Sequence, residues 1–280
     1  MMVKLKIMLL QLKIFIYNLL IKHFKMWWTL NFNPLIRRQR QNPQSIPIII
    51  INFNQLFYLK KLVHFLLKRN MENIIIIDNL STYPPLLEYY KTLEGVTVEY
   101  MDKNYGHMVF FENIGLQEKY GKGFYVVTDA DIDPNPKLSK DFMRVLLDVI
   151  TKEFQDVNKV GFALDIDSIP DYYLHKDKVL RWEKKFWENQ YPKIPSAYYA
   201  KIDTTFAIYK PLYPKFYNHI DFLKGIRLAG DFTAIHGGWY VDERSPTVEQ
   251  VYYKNTASSA SSWQLIDQNE KNNMFKILYK

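Results

Sequence analysis

Four short apolar runs recur through the first half of the chain, separated by stretches of a different period. Pro47 to Phe53 reads P-I-I-I-I-N-F, Asn73 to Asp78 reads N-I-I-I-I-D, Val96 to Tyr100 reads V-T-V-E-Y, and Phe124 to Thr128 reads F-Y-V-V-T. Runs this short, rich in β-branched and aromatic residues, predict buried strands. Between them the period is helical. Gln55 to Lys68 spaces Leu56, Leu59, Leu62, Val63, Leu66 and Leu67 at helical intervals, Pro84-Pro85 opens a second helix, and Met108 to Lys119 supplies a third. Strands alternating with helices predict an α/β fold: a mostly parallel, doubly wound sheet flanked by helices.

The second half is less regular. Asp141 to Val157 reads as a helix, Val160 to Leu164 as a strand, His175 to Asn189 as a charged helix, and Tyr198 to Tyr209 as one strand with Asp203 in its middle. A carboxylate inside a strand is costly unless satisfied or used. Gly225 to Tyr240 gathers Asp231, His236, Gly237 and Gly238 ahead of a Trp-Tyr pair, and a Ser/Ala-rich tail covers Tyr252 to Trp263, an ordered wrap or a flexible loop.

Polar groups collect where the strands end. Asn52 and Asn54 close the first strand, Asp78-Asn79 the second, and Thr128-Asp129-Ala130-Asp131-Ile132-Asp133-Pro134 the fourth. Ligands of open α/β sheets bind at that edge. In extended chain, residues two apart face the same side, so Asp129, Asp131 and Asp133 would converge on one cation. Mn²⁺ or Mg²⁺ is the cation suited to clustered carboxylates, although Asp and Pro also make ordinary turns. Asp165-Ile166-Asp167 repeats the alternate spacing and reads equally as a capped loop.

Residues 1–45 differ in kind. Met1 to Trp28 is apolar with scattered lysines, and its longest charge-free run, Ile14 to Ile21, is far shorter than the ~20 residues a spanning helix needs. Wound as a helix, it carries Lys4, Gln11, Asn18, Lys22 and Lys25 on one stripe. Trp27, Trp28 and Arg37-Arg38-Gln39-Arg40 follow. That pattern predicts an amphipathic helix lying in a membrane surface through residues 1–28, on the cytoplasmic face. No small-residue cleavage site follows, and Asn42 to Ser45 reads as a linker.

Composition narrows the chemistry. At 280 residues the chain can bury a large core. With no cysteine, disulfide frameworks, thiolate metal sites and cysteine nucleophiles are excluded. The formal charge of +8 favours an anionic partner. Its densest basicity lies beside apolar surface, which speaks against nucleic acid. No G-x-G-x-x-G follows the first strand and no G-x-x-x-x-G-K-[ST] occurs anywhere, so a phosphorylated ligand would depend on a metal and on side chains.

Taken in order, I-I-N-F-N, I-I-D-N-L-S-T-Y-P-P, N-Y-G and Y-V-V-T-D-A-D-I-D-P resemble the nucleotide-binding half of GT-A-fold, family-2-like glycosyltransferases, over about residues 46 to 145. The resemblance implies a GT-A-type, Rossmann-like domain with a donor half at 46–145 and an acceptor half with the tail at 146–280. It implies a nucleotide-sugar donor, a divalent cation, and a glycan or lipid-linked acceptor. Position by position, Asp78 matches the acid that contacts the nucleoside, with Asn52 beside it. Asp129 and Asp131 match the D-x-D pair, and Asn104 and Gly106 the loop lining the donor pocket. A histidine from the second half often completes the metal shell in that family; His236 is the candidate here. Inversion needs a general base, for which Asp203, Asp231 and Asp167 are the candidates, with Asp203 or Asp231 favoured as lying in the half that supplies acceptor contacts. Two other classes compete: a sugar-nucleotide nucleotidyltransferase, and a non-catalytic membrane-surface scaffold. The former should carry a glycine-rich basic loop after the first strand, which Asn54-Gln55-Leu56-Phe57 is not.

Overall fold

The computed structural model describes residues 26–257 except 204 and 212–221, together with positions 13, 17, 20 and 24. The expected helix over Met1–Trp28 lies largely outside the described residues, as does the tail beyond 257. Within them, 26–32 is helical, and no helix is long and apolar enough to cross a membrane.

The isoleucine runs become β1 (Ile48–Asn52) and β2 (Ile74–Asp78), every residue of both buried. They lie side by side in parallel, with β3 (Val96–Tyr100) outside β2 and β4 (Tyr125–Asp129) on the other side of β1. Alternation sorts the side chains between two cores. Ile48, Ile50, Ile74, Ile76 and Val126 enter the larger one, and Ile49, Ile51, Ile75, Ile77, Tyr125 and Val127 the smaller. A run apolar on both faces is what a covered parallel strand requires.

Among the described residues the sheet has nine strands in the order β3-β2-β1-β4-β8-β6-β9-β5, with β7 also pairing β9. β6 (Lys159–Leu164) and β9 (Lys224–His236) run in the same direction as the first four strands; β5 (Ile132–Pro134), β7 (Ala197–Lys201) and β8 (Ala207–Tyr209) run against them. Six of these nine share one direction, so the expected mostly parallel α/β sheet is present, with its antiparallel members all later in the chain than β4.

Local chemistry sets the helix boundaries. In α1 (Pro34–Gln41), the Asn33 side chain accepts from the Leu35 and Ile36 amides. The buried Gln39 amide closes two hydrogen bonds with the Phe124 backbone, both 2.8 Å, and so anchors the start of β4. The Asn42–Ser45 segment is not a loose connection but a 3₁₀ turn, Pro43–Ser45, with Pro43 buried. α2 (Phe57–Leu67) follows β1, and α3 (Pro84–Lys91) follows β2 with two prolines in its first turn. The single helix expected over Met108–Lys119 is broken into α4 (Val109–Glu112) and α5 (Ile114–Tyr120), because Asn113 turns extended and caps the second through the Leu116 amide. α6 (Phe142–Lys152) buries Phe142, Met143, Leu146, Leu147 and Ile150 at helical spacing. α7 (Lys176–Glu183) gives way to a 3₁₀ turn over Lys184–Trp187.

Tyr198 to Tyr209 is not one strand. β7 ends at Lys201 and β8 begins at Ala207, with Asp203 in the connection beside Lys159. Lys159 opens β6 fully buried, and its Nζ donates to Ile202 O at 2.9 Å and Tyr209 Oη at 3.0 Å. Burial pulls this ammonium down to about 7, against the opposing pull of Asp203. The unfolded chain therefore holds more protons than the native one between about pH 7 and the ordinary lysine range, and stability climbs with pH across that window. Urea unfolding should show a gain of about 2 kcal/mol from pH 7 to pH 9. In Lys159→Met that slope should vanish; an unchanged slope would mean the ammonium is not desolvated.

Candidate metal centre at the sheet edge

The C-terminal ends of the parallel strands form one row: Tyr100, Asp78 and Asn52 stand in register, and Asp129 is level with Ile51. At β4 the chain makes a tight turn through Ala130 and Asp131 before β5. This corrects the expectation from extended alternation, since the turn, not the pleat, brings Asp129 and Asp131 together. Asp133 leaves the group altogether. It sits in β5, and its carboxylate is taken by Lys61 from α2.

β8 is only three residues long. Above it, the end of β9 passes to β5, the direct continuation of β4, in the register Ile132↔His236. That places an imidazole beside the turn. Ligand atoms of Asp129, Asp131 and His236 all lie within 4.8 Å of one another. His236 Nδ1 is 3.5 Å from Asp131 Oδ2, yet it is buried and makes no hydrogen bond. A buried polar atom without a partner is unfavourable unless something satisfies it. The donor set, two carboxylates and one imidazole, suits Mn²⁺ or Mg²⁺ with remaining positions open to water or ligand oxygens.

The surroundings hold this group in place. Asp131 accepts at its carbonyl from the Gly237 amide, 2.7 Å, and at Oδ2 from the Gly238 amide, 3.1 Å. His236 stacks on Trp239, centroids 4.9 Å apart. Tyr58 of α2 lies so close over Gly237 that an added Cβ would overlap its ring. Burial and the Asp131 and Asp133 carboxylates push the Tyr58 hydroxyl up, so it stays protonated. Tyr240, also raised by burial, meets Ser168 Oγ at 2.6 Å and so joins the loop after β6 to the centre.

The other predicted residues divide into two groups. Asp78 is at the edge but buried, its carboxylate accepting from Tyr90 Oη at 2.8 Å and the Ser81 amide at 2.9 Å. Asn52 donates to the same Tyr90 Oη at 2.8 Å, and its own Oδ1 has no partner. Both shape the turn after β2. The nucleoside-contacting role implied for Asp78 therefore meets a carboxylate turned inward. Asn104 and Gly106 lie exposed in the loop after β3, tied down by Asn79, whose Nδ2 donates to Gly106 O at 3.1 Å. Asp167 is exposed in the loop after β6, its amide held by Asp165 Oδ1 at 2.9 Å. Asp231 is exposed on a bulge, where residues 229–232 have no counterpart between Phe162 and Ala163. Asp203 stands apart. Its neighbour Lys159 begins β6, at the opposite end of the sheet from Asp131 and His236.

One element was missed. α8 (Val248–Thr256) lies across the loops after β1 and β2. Its Glu249 carboxylate accepts from the Leu56 and Phe57 amides at 3.0–3.1 Å, Tyr252 Oη bonds Thr82, and Thr256 Oγ1 accepts from Asn54. The signal was present in Thr247-x-x-Gln250, a capping box whose reciprocal bonds both form.

The fold and site together define an α/β protein with a candidate divalent-metal centre at the C-terminal edge of its sheet. Among solved structures it is similar to a mannosyltransferase from Pyrobaculum calidifontis in complex with GDP-mannose and Mn²⁺, at 13% identity, TM-score 0.43, over 80% of this chain and 69% of that one. It is also similar to a cytidylyltransferase from Leptospira borgpetersenii, at 13% identity, TM-score 0.30, over 50% of this chain and 71% of that one. Likeness at this level bears on neither substrate nor chemistry. No protein-family model and no curated protein matches the chain.

Titration calorimetry with Mn²⁺ should give one site, weakened at least about tenfold in Asp131→Asn and in His236→Ala, since each removes a ligand. Gly237→Ala should cost about 1–3 kcal/mol in urea unfolding by driving its Cβ into Tyr58, and Tyr58→Ala in the same chain should recover much of that. Full stability in Gly237→Ala would show that the ring does not hold the turn.

Proposed function

We propose that this chain is a metal-dependent glycosyltransferase that moves a sugar from a nucleotide-diphosphate sugar to a glycan or lipid-linked acceptor, with inversion. The observation that carries the reading is the convergence of Asp129, Asp131 and His236 at the ligand-binding edge of the sheet. It is supported by the order of motifs around them. A divalent cation bound there supplies charge to stabilise the departing diphosphate.

The chain's own groups supply the rest. Asp131 is held by two backbone amides of the glycine pair, so its carboxylate is fixed before any ligand arrives. Asn79 holds the Asn104–Gly106 loop over the edge, as a wall for the donor. Of the base candidates, Asp167 is the one on the loop that Ser168 and Tyr240 join to the centre, and it is solvent-exposed and so able to take a proton from an acceptor hydroxyl. The nucleotidyltransferase reading is the alternative, and the loop after β1 speaks against it. The loop after β1 is not glycine-rich, and the Leu56 and Phe57 amides are already taken by Glu249.

A screen of nucleotide sugars with Mn²⁺, read by nucleoside diphosphate release, should find one preferred donor. Asp131→Ala should reduce turnover at least about a thousandfold, and Asp167→Asn should lower kcat with little change in donor KM. Turnover near wild type in Asp131→Ala would overturn the assignment.

A further inference from the structure

The net charge of this protein is carried by one end. Of its 37 Lys and Arg residues eight fall in 1–45, which contain no Asp or Glu; the remaining 29 are matched by the 29 acids of 46–280. The whole net charge of +8 therefore belongs to the segment before β1. Among the described residues of the same segment, the aromatic side chains are exposed. Phe24, Trp27, Trp28 and Phe32 form a cluster, with Trp28 stacked on Phe32 at 4.4 Å and Trp27 edge-on to Phe32 at 5.2 Å. Trp27 and Trp28 are 49% and 53% exposed, whereas Leu30 on the opposite side of the helix is 7% exposed and packs into the core.

The helix that carries the cluster also contributes Leu30 and Asn31 to the wall of a cleft of about 320 Å³. Arg37, Arg40 and Arg144 line it, with Asp148 the one acid in its wall. Two of the guanidinium groups are set in position by carbonyls: Arg40 Nη1 donates to Leu30 O at 3.0 Å, and Arg144 donates to Arg40 O and, at 3.1 Å, to Gln41 O. A guanidinium has five N–H donors, so these bonds orient each group and leave others for a ligand. Planar guanidinium forks are suited to phosphate oxygens.

We infer that this face docks on an anionic bilayer, with the aromatic cluster in the interface and the arginine cleft receiving the phosphate head group of an acidic phospholipid. Aromatic side chains at headgroup level and basic residues just behind them are the two signals that together give stable surface binding. The inference does not depend on sugar transfer, and its test reads binding alone.

The full chain is sedimented with vesicles of phosphatidylcholine, with and without phosphatidylglycerol. Binding is expected only to the latter, and it should fall with added salt. Trp27→Ala with Trp28→Ala should weaken it at least about tenfold. Arg37→Gln should weaken it by more than the about fivefold expected for one surface charge, whereas Arg38→Gln, equally basic but outside the cleft, should not exceed that. Arg37 and Arg38 are both exposed, so neither substitution threatens the fold. Equal losses in the two variants would overturn the head-group site, and equal binding to phosphatidylcholine alone, or none to either vesicle, would overturn the docking face. Inorganic phosphate without vesicles should leave tryptophan emission unchanged. A saturable response abolished by Arg37→Gln would assign the cleft to soluble phosphate and overturn the lipid assignment.

Discussion

The pairing of β5 with β9 is the constraint on which the site depends. β9 runs 13 residues, far longer than its neighbours, and bulges after Phe162's partner Leu228 before continuing to His236. Because β8 stops after three residues, the space above it is left for the end of β9 to meet the chain leaving β4. Three backbone pairings, Ile132↔His236, Asp133↔Ile235 and Pro134↔Ala234, then fix the separation between a carboxylate turn and an imidazole 105 residues further on. A one-residue slip would put His236 on the other face of its strand. The Asp131 carbonyl and carboxylate, each bonded to a glycine amide, lock the register from the other side.

Around that seam the polar chemistry is concentrated at one edge, and the apolar chemistry is everywhere else. β1, β2 and the start of β4 are apolar on both faces, so burial alone holds them rigid. Asn52, Asp78 and Tyr90 form a buried network that closes the turn after β2, where an unpaired carboxylate would be costly. Such a network serves a binding edge by fixing its rim. α8 adds to the rim from outside, with Glu249 occupying the amides that open α2. A carboxylate at a helix N-terminus is favoured by the dipole as well as by the hydrogen bonds. The candidate metal centre, the loop from β3 and α8 thus meet on the same edge, on strands that cannot easily move.

Where the sequence was read correctly, the information was local. The β-branched runs, the proline-led start of α3 and the polar strand ends each declare themselves within a few residues, since strand burial and capping are short-range properties. The single strand read over Tyr198–Tyr209 failed for a tertiary reason: β7 and β8 have similar composition but pair with different partners. The same failure misplaced Asp203, which acts on the buried Lys159 at the far end of β6 from the candidate site. Asp133 looked like a third member of an alternating cluster because nothing in its neighbourhood announces Lys61, 72 residues away, as its partner.

By itself, the sequence determined the class of fold and the edge at which polar groups collect. Those follow from hydrophobic period and from residue chemistry, which need no partner to be legible. Only the tertiary structure decided that Asp129 and Asp131 converge through a turn, that His236 joins them while Asp133 and Asp203 do not, and that α8 covers the neighbouring loops. Each of those facts rests on strand register or on a contact between distant segments. Such contacts are set by how the whole sheet closes, which no window of sequence contains.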